Sequence, residues 1–205
     1  MQNLERFNIG TLKTQCKAKG YNFFERGSYN LNLIGIRSNE RSCNSFDDVM
    51  CVAYKENDKW QLKQYQITTD PGLWELQKPS FVNAQENGTA IMACGQYTSS
   101  YALGYHGSGT WRHKALIQVG QIGIYRDKNK DSILDIGGRK EIGYFGINIH
   151  ASSLSVKQPL VQNWSAGCQV FANPVEYNEF VVLLEKSVSL WGNKFTYTLF
   201  NESDF

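Results

Sequence analysis

The sequence predicts a mainly β domain of the α+β class with one substantial helix, and three observations carry that expectation. Tyr (11), Phe (11) and Trp (5) are plentiful, and aromatic side chains suit half-buried pleated surfaces. Residues 48–54 (DVMCVAY) and 60–67 (WQLKQYQI) flank the polar KENDK, and the second run alternates apolar and polar residues as one strand of a hairpin should. Asn173-Pro174 then starts a helix, with asparagine as N-cap and proline at the first position. Val175, Phe180, Val181, Leu183 and Leu184 form its apolar side, and Gly192 stops it.

The remaining elements follow in order. Residues 4 to 19 predict a short helix with Leu4, Phe7, Leu12 and Cys16 on one side, interrupted at Gly10 and Thr11. YNFF (21–24) and LNLIGIRS (31–38) predict strands about the turn 25–28. TTDPGLWELQKP contains a Pro-Gly turn. Residues 81–113 are rich in Gly, Ser and Tyr, and predict a covering flap, because so long an irregular segment in a small domain is usually functional. Residues 114–119 and 122–125 predict two strands about Gly120-Gln121, and EIGYFGINIH a buried strand ending at His150. Residues 194–200 predict a final alternating strand.

With 205 residues, 41% of them hydrophobic, the chain suffices for one core, alone or with a small extension. A formal net charge of +2 advertises no nucleic-acid partner. No run approaches the ~20 apolar residues of a membrane span. The opening MQNLERFNIGTLK has neither a long apolar core nor a small-residue cleavage site, so synthesis without a secretory signal is expected. Five cysteines without regular spacing point away from a disulfide framework, and they show no zinc-type spacing with the three histidines.

Two constellations carry chemistry. In DKNKDSILD, Asp127, Asn129, Asp131 and Asp135 stand at positions 1, 3, 5 and 9 of a calcium-type loop, where hard oxygens converge on one ion. Gly138 replaces the glutamate of position 12 and Ser132 the glycine of position 6, and a solvated polar turn explains the run as well. A structural calcium is thus open, and no cofactor is required. The second is His150 followed by NWSAGCQVF (163–171). A thiol attacks as thiolate, and an imidazole is the usual means of making one near neutral pH. Gly167 keeps bulk away from Cys168 and lets backbone N–H groups face a developing oxyanion. Taken alone, a cysteine with a distant histidine is more often a small buried hydrophobe.

His150, fourteen further residues and Ser165-Ala166-Gly167-Cys168 resemble the signature of the L,D-transpeptidase (YkuD-like) catalytic domain, in divergent form close to phage lysins. That family carries Ser/Thr-His-Gly-Cys, a hydrophobic residue, then Asn or Arg. Ala166, Gln169 and Val170 depart from it, and the last departure removes a substrate-holding polar residue. Asp70-Pro71-Gly72-Leu73-Trp74 loosely resembles a further family segment. The resemblance covers about Asp48 to Phe200 and implies an L,D-transpeptidase-like β-sandwich or barrel over 46–205, with residues 1–45 as a helical and β extension. It implies Cys168 as nucleophile, His150 as base with a backbone carbonyl on its other nitrogen, and oxyanion donors from Gly167, Cys168 and Ser165. Trp164, Trp74, Tyr105, His106, Asn148 and Gln169 are the residues expected to meet substrate, although loop histidines are commonly just solvated. The implied substrate is the peptidoglycan stem peptide, and the favoured reaction is hydrolysis, by a lysin or effector that reaches the cell wall after release or injection. The alternatives are an L,D-transpeptidase, an inactive wall-binding or phage structural module, and a cysteine amidase with a non-wall substrate.

Overall fold

The structure, a computed structural model, describes residues 4–205. Its strands are β1 (Asn32–Arg37), β2 (Asp48–Glu56), β3 (Lys59–Thr68), β4 (Thr89–Met92), β5 (Gly95–His106), β6 (His113–Gln118), β7 (Ile122–Asp127), β8 (Glu141–Gly143), β9 (Ile149–Ala151), β10 (Gln169–Phe171) and β11 (Phe195–Asn201). The helices are α1 (Ile9–Ala18), α2 (Leu73–Gln77), α3 (Val82–Asn87) and α4 (Pro174–Trp191). A closed barrel runs in the order β1-β11-β5-β6-β9-β10-β3-β2, and β4, β7 and β8 form a separate sheet. The expected mainly β, α+β class is what the chain adopts.

The β2–β3 hairpin forms as its pattern predicts, with Glu56 opposite Lys59. Asn57 and Asp58 bridge them at φ +50° and +61°, the left-handed pair of a two-residue turn that Asn and Asp tolerate. Alternation then sorts β1 between two cores. Leu33 points inward with Met50, Val52, Tyr65, Tyr101, Tyr197 and Leu199. Ile34 and Ile36 point outward with Val49 and Cys51, beneath Phe7, Leu12 and Cys16 from the α1 region. Thr11 does not interrupt α1. Asn8 Oδ1 accepts the Thr11 N–H at 3.1 Å and Thr11 Oγ1 the Asn8 N–H at 3.0 Å, a reciprocal cap that begins the helix. Leu4, expected on the buried side, is exposed.

Helix α4 keeps its predicted ends, with Asn173 Oδ1 accepting from Val175 N at 3.0 Å and Gly192 at φ +82°. Phe180, Leu183 and Leu184 are buried as expected, joined by Tyr177, whereas Val175 is exposed.

Four expectations are corrected. The YNFF stretch is not a strand, and its amides turn to side chains, Asn22 N–H to Gln96 Oε1 and Phe24 N–H to Asn32 Oδ1. Residues 81–113 are not a flap, since they contain α3, β4 and the twelve-residue barrel strand β5. Residues 114–119 and 122–125 are strands of different sheets rather than a hairpin. EIGYFGINIH is divided between β8 and β9, with Gly146 at φ +71° breaking the run and Ile142 and Tyr144 exposed.

A buried polar centre lies at the end of β1. Arg37 is 1% exposed, pairs with Asp70 Oδ1 at 2.8 Å and donates to the Thr69 carbonyl at 3.1 Å. Asp48 accepts the Thr69 N–H at 2.6 Å and the Ser38 N–H at 2.7 Å. Burial raises both carboxyls above their ordinary range, against the pull of the Arg37 guanidinium. The outcome is a pinned segment 69–72, from which the Gly72 N–H reaches the Ser165 carbonyl at 2.8 Å. No helix among the described residues is long and apolar enough to cross a membrane.

Gly35 leaves room inside the barrel. A Cβ there would overlap the Tyr197 hydroxyl, which donates to Gln169 Oε1 at 2.9 Å. Gly35→Ala is expected to cost about 1–3 kcal/mol in urea unfolding, as overpacked cores do. Adding Tyr197→Phe, which removes the clashing oxygen, should cost less than the two single changes summed. Strict additivity would show that this close approach is not what requires glycine.

Candidate functional site

Strands β9 and β10 are parallel neighbours, with Ile149 opposite Gln169 and His150 opposite Val170. The Gln169 N–H donates to the Asn148 carbonyl at 2.9 Å, so the register continues one residue before the strands. Ile149, Ala151 and Phe171 point into the barrel core. Alternation therefore puts Asn148, His150, Cys168 and Val170 together on the outer face. There Cys168 and Trp164 pack beside Phe46, Val161, Val170 and Ala172.

The Cys168 sulfur accepts the Asn148 N–H at 3.4 Å and lies 3.8 Å from the Gly146 carbonyl. Burial pushes the thiol up to about 11, opposed by the Asn148 N–H. Gly167 sits at φ +116°, and a Cβ there would overlap the Ala90 carbonyl oxygen of β4, so only glycine fits. Ser165 Oγ donates to the Cys168 carbonyl at 2.8 Å and accepts the Gly167 N–H at 3.2 Å. Ser165 is therefore a clamp on the turn rather than the expected oxyanion donor, and the Gly167 N–H is already engaged.

All three histidines of the chain meet here. The His150 ring stacks on His106, centroids 4.0 Å apart and planes within 13°. His113 is 5.7 Å from His106 and 6.1 Å from His150. His150 Nδ1 lies 2.8 Å from the Ala151 carbonyl, an acceptor only, so Nδ1 carries the proton and Nε2 the lone pair. Asn148 Nδ2 donates to His106 Nδ1 at 3.2 Å while its Oδ1 accepts the Gln118 N–H at 2.9 Å. His113 Nδ1 donates to the Trp111 carbonyl at 2.8 Å, and its buried Nε2 has no partner among the described residues. Burial, with His106 and His113 adding to it, holds His150 down at about 3; His106 and His113 are lowered as well, chiefly by burial. The resting pair is thus a neutral thiol and a neutral imidazole.

No protein-family model, curated protein or solved structure matches the chain.

Of the other expected residues, Trp164 lies at the site, 5.3 Å from Trp111, whose part the sequence did not signal. Trp74 is exposed on α2 and lines a hollow of about 220 Å³ with Gln162 and Asn163, next to the cysteine turn. Gln169 does not face substrate. It is fully buried, held by the Tyr197 hydroxyl and directed at the Thr69 carbonyl at 3.4 Å. Tyr105, one residue from His106 on β5, points to the opposite face and stacks under Arg112 at 3.7 Å. A larger hollow of about 460 Å³ lies between β3 and α4, away from the thiol. Among the described residues no three His, Cys, Asp or Glu side chains converge as a metal-holding group. Asp127 is buried at the end of β7, whereas Asn129, Asp131 and Asp135 are exposed.

The histidine cluster has a pH consequence. A folded-state pKa below the ordinary 6.5 means that the unfolded chain binds more protons below pH 6.5. Stability is therefore present above 6.5 and is lost as pH falls from there toward about 3. His106→Gln keeps an acceptor for the Asn148 amide and removes one such group. Its thermal unfolding temperature should fall less steeply between pH 6.5 and 4 than that of the wild type; an equal slope would remove His106 from this linkage.

Proposed function

We propose that the chain is a cysteine-dependent acyl-transfer enzyme acting on peptidoglycan stem peptides, hydrolytic in outcome and divergent within the L,D-transpeptidase-like group. One observation carries the reading. Cys168 and His150 share the outer face of adjacent parallel strands, and the Ala151 carbonyl on Nδ1 leaves Nε2 as the basic nitrogen. Register and hydrogen bonding support this reading.

The Cys168 sulfur attacks a peptide carbonyl carbon as His150 Nε2 takes the thiol proton. The tetrahedral adduct collapses, the C–N bond breaks, and His150 returns the proton to the departing amine. Water then attacks the thioester with His150 as base, which releases a carboxylate and restores the thiol. Trp164 and Trp111, in contact with one another, and Trp74 beside Gln162 and Asn163 offer aromatic surface near the turn. Since His150 is held neutral far below pH 6.5, the base form persists into acid.

A second reading, a wall-binding or phage structural module, is favoured by one feature. The sulfur is bonded to backbone groups rather than to an imidazole, and its thiol is raised. Purified sacculi separate the two. Wild type is expected to release muropeptides read by mass spectrometry, while Cys168→Ala and His150→Ala should lose at least about 10³-fold in rate, the scale of losing a nucleophile or its base. Three identical empty traces alongside retained sacculus pull-down would establish the binding module instead.

A further inference from the structure

The β7–β8 loop combines the oxygen spacing Asp127, Asn129, Asp131, Asp135 with a buried carboxylate that is only half satisfied. Asp127 is 3% exposed. Its Oδ2 accepts the Asp135 N–H at 3.0 Å, so the carboxylate faces its own loop, and its Oδ1 has no hydrogen-bond partner among the described residues. A buried carboxylate oxygen without a donor is costly unless a positive group meets it. Among the described residues no arginine donates to Asp127 Oδ1. Arg126 Nε turns to Glu141 at 3.1 Å and its Nη1 to the Gly88 carbonyl, and Arg41, whose charge favours the Asp127 carboxylate, donates to the Leu134 carbonyl instead.

The loop is anchored at its buried end and open to solvent at the other three oxygen-bearing positions. Leu134 is buried against Leu76 and Ile91, and Ile133 bridges to Ser42. Asn129, Asp131 and Asp135 are exposed, and Asn129 and Asp131 each use one side-chain oxygen on a loop amide, Asp131 N–H and Ile133 N–H.

We propose that this loop binds calcium, with Asp127 as the fixed ligand, the Ile133 carbonyl beside it, and Asn129, Asp131 and Asp135 turning in on binding. Calcium suits such a set because it accepts six to eight oxygens at flexible geometry, with waters completing the shell, whereas magnesium demands a near-ideal octahedron. With Gly138 at the place of the usual bidentate glutamate, the affinity belongs to the weaker part of the range, about 10⁻⁵–10⁻³ M. The ion would brace the cysteine turn from below. Asp127 pairs with Thr89 and Arg126 with Ala90 across β7 and β4, and the Ala90 carbonyl is the atom that Gly167 packs upon.

The test is thermal unfolding of the whole chain, stripped of metal, with calcium chloride or magnesium chloride added, alongside calorimetric titration. At calcium about a hundredfold above its dissociation constant the unfolding temperature should rise by roughly 5–10 °C, with a much smaller rise in magnesium. Asp127→Asn and the exposed Asp131→Asn should each abolish the calcium-dependent rise, and Asp131→Asn guards against a variant that fails to fold. No rise and no binding heat in the wild type overturns the proposal, as does an equal rise in wild type and Asp131→Asn, which would put calcium elsewhere. Neither readout depends on Cys168 being reactive.

Discussion

The polar groups of Asn148 hold the candidate site together. Its N–H meets the Cys168 sulfur, its carbonyl accepts from Gln169, its Oδ1 accepts from Gln118 and its Nδ2 donates to His106. One residue thus links β5, β6, β9 and β10. The link is needed because the barrel is thinnest here, with β9 and β10 three residues each and β6 paired to β9 at Leu116–Ile149. Gln118 supplies what the short ladder lacks. Its Oε1 accepts the Phe145 and Ile147 N–H groups and its Nε2 donates to the Gly143 carbonyl, satisfying irregular backbone that would otherwise be orphaned. Side-chain amides do here what strand pairing does elsewhere in the barrel.

The electrostatics of the site follow from that construction. A thiol raised to about 11 and an imidazole lowered to about 3 do not form an ion pair at rest. Neutral groups are the cheaper ones to bury, so the cluster adds to stability only while it stays uncharged. In the acyl transfer proposed above, proton transfer would then accompany attack instead of preceding it. Electrostatic help to the anionic adduct then matters more than a preformed thiolate.

The sequence was legible where its signals are local. The hairpin about the polar KENDK, the Asn173-Pro174 start and the final strand β11 each depend on neighbours within a few residues, and each stands as read. Strand β5 was not legible. Its inward residues are Tyr97 and Tyr101 rather than aliphatics, and Ser99 at φ +51° interrupts the alternation where the pairing with β11 shifts register. Gln169 was misjudged because a polar residue beside a cysteine suggests substrate, and only the barrel shows that Tyr197 waits inside to bond it. Likewise Ser165 looked like a donor to substrate, but the tight turn at Gly167 folds its hydroxyl back on the backbone. The segment 151–168 between His150 and Cys168 joins two adjacent parallel strands, and the sulfur meets the backbone of Asn148 and Gly146.

The Cys168 turn is held from two sides by segments remote in sequence. On one side the buried Arg37–Asp70 pair pins residues 69–72, and the Gly72 N–H holds the Ser165 carbonyl. On the other, β4 presents the Ala90 carbonyl directly to Gly167. Ala166, between them, leaves no imidazole beside Gly167 and Cys168, although the resembled family places one there. The second imidazole of this site comes instead from His106 on β5, laid flat against His150. A ring stacked on the base restricts its rotation and disfavours its charged form. In this site it is His106 on the barrel wall, rather than a side chain at position 166, that packs against His150.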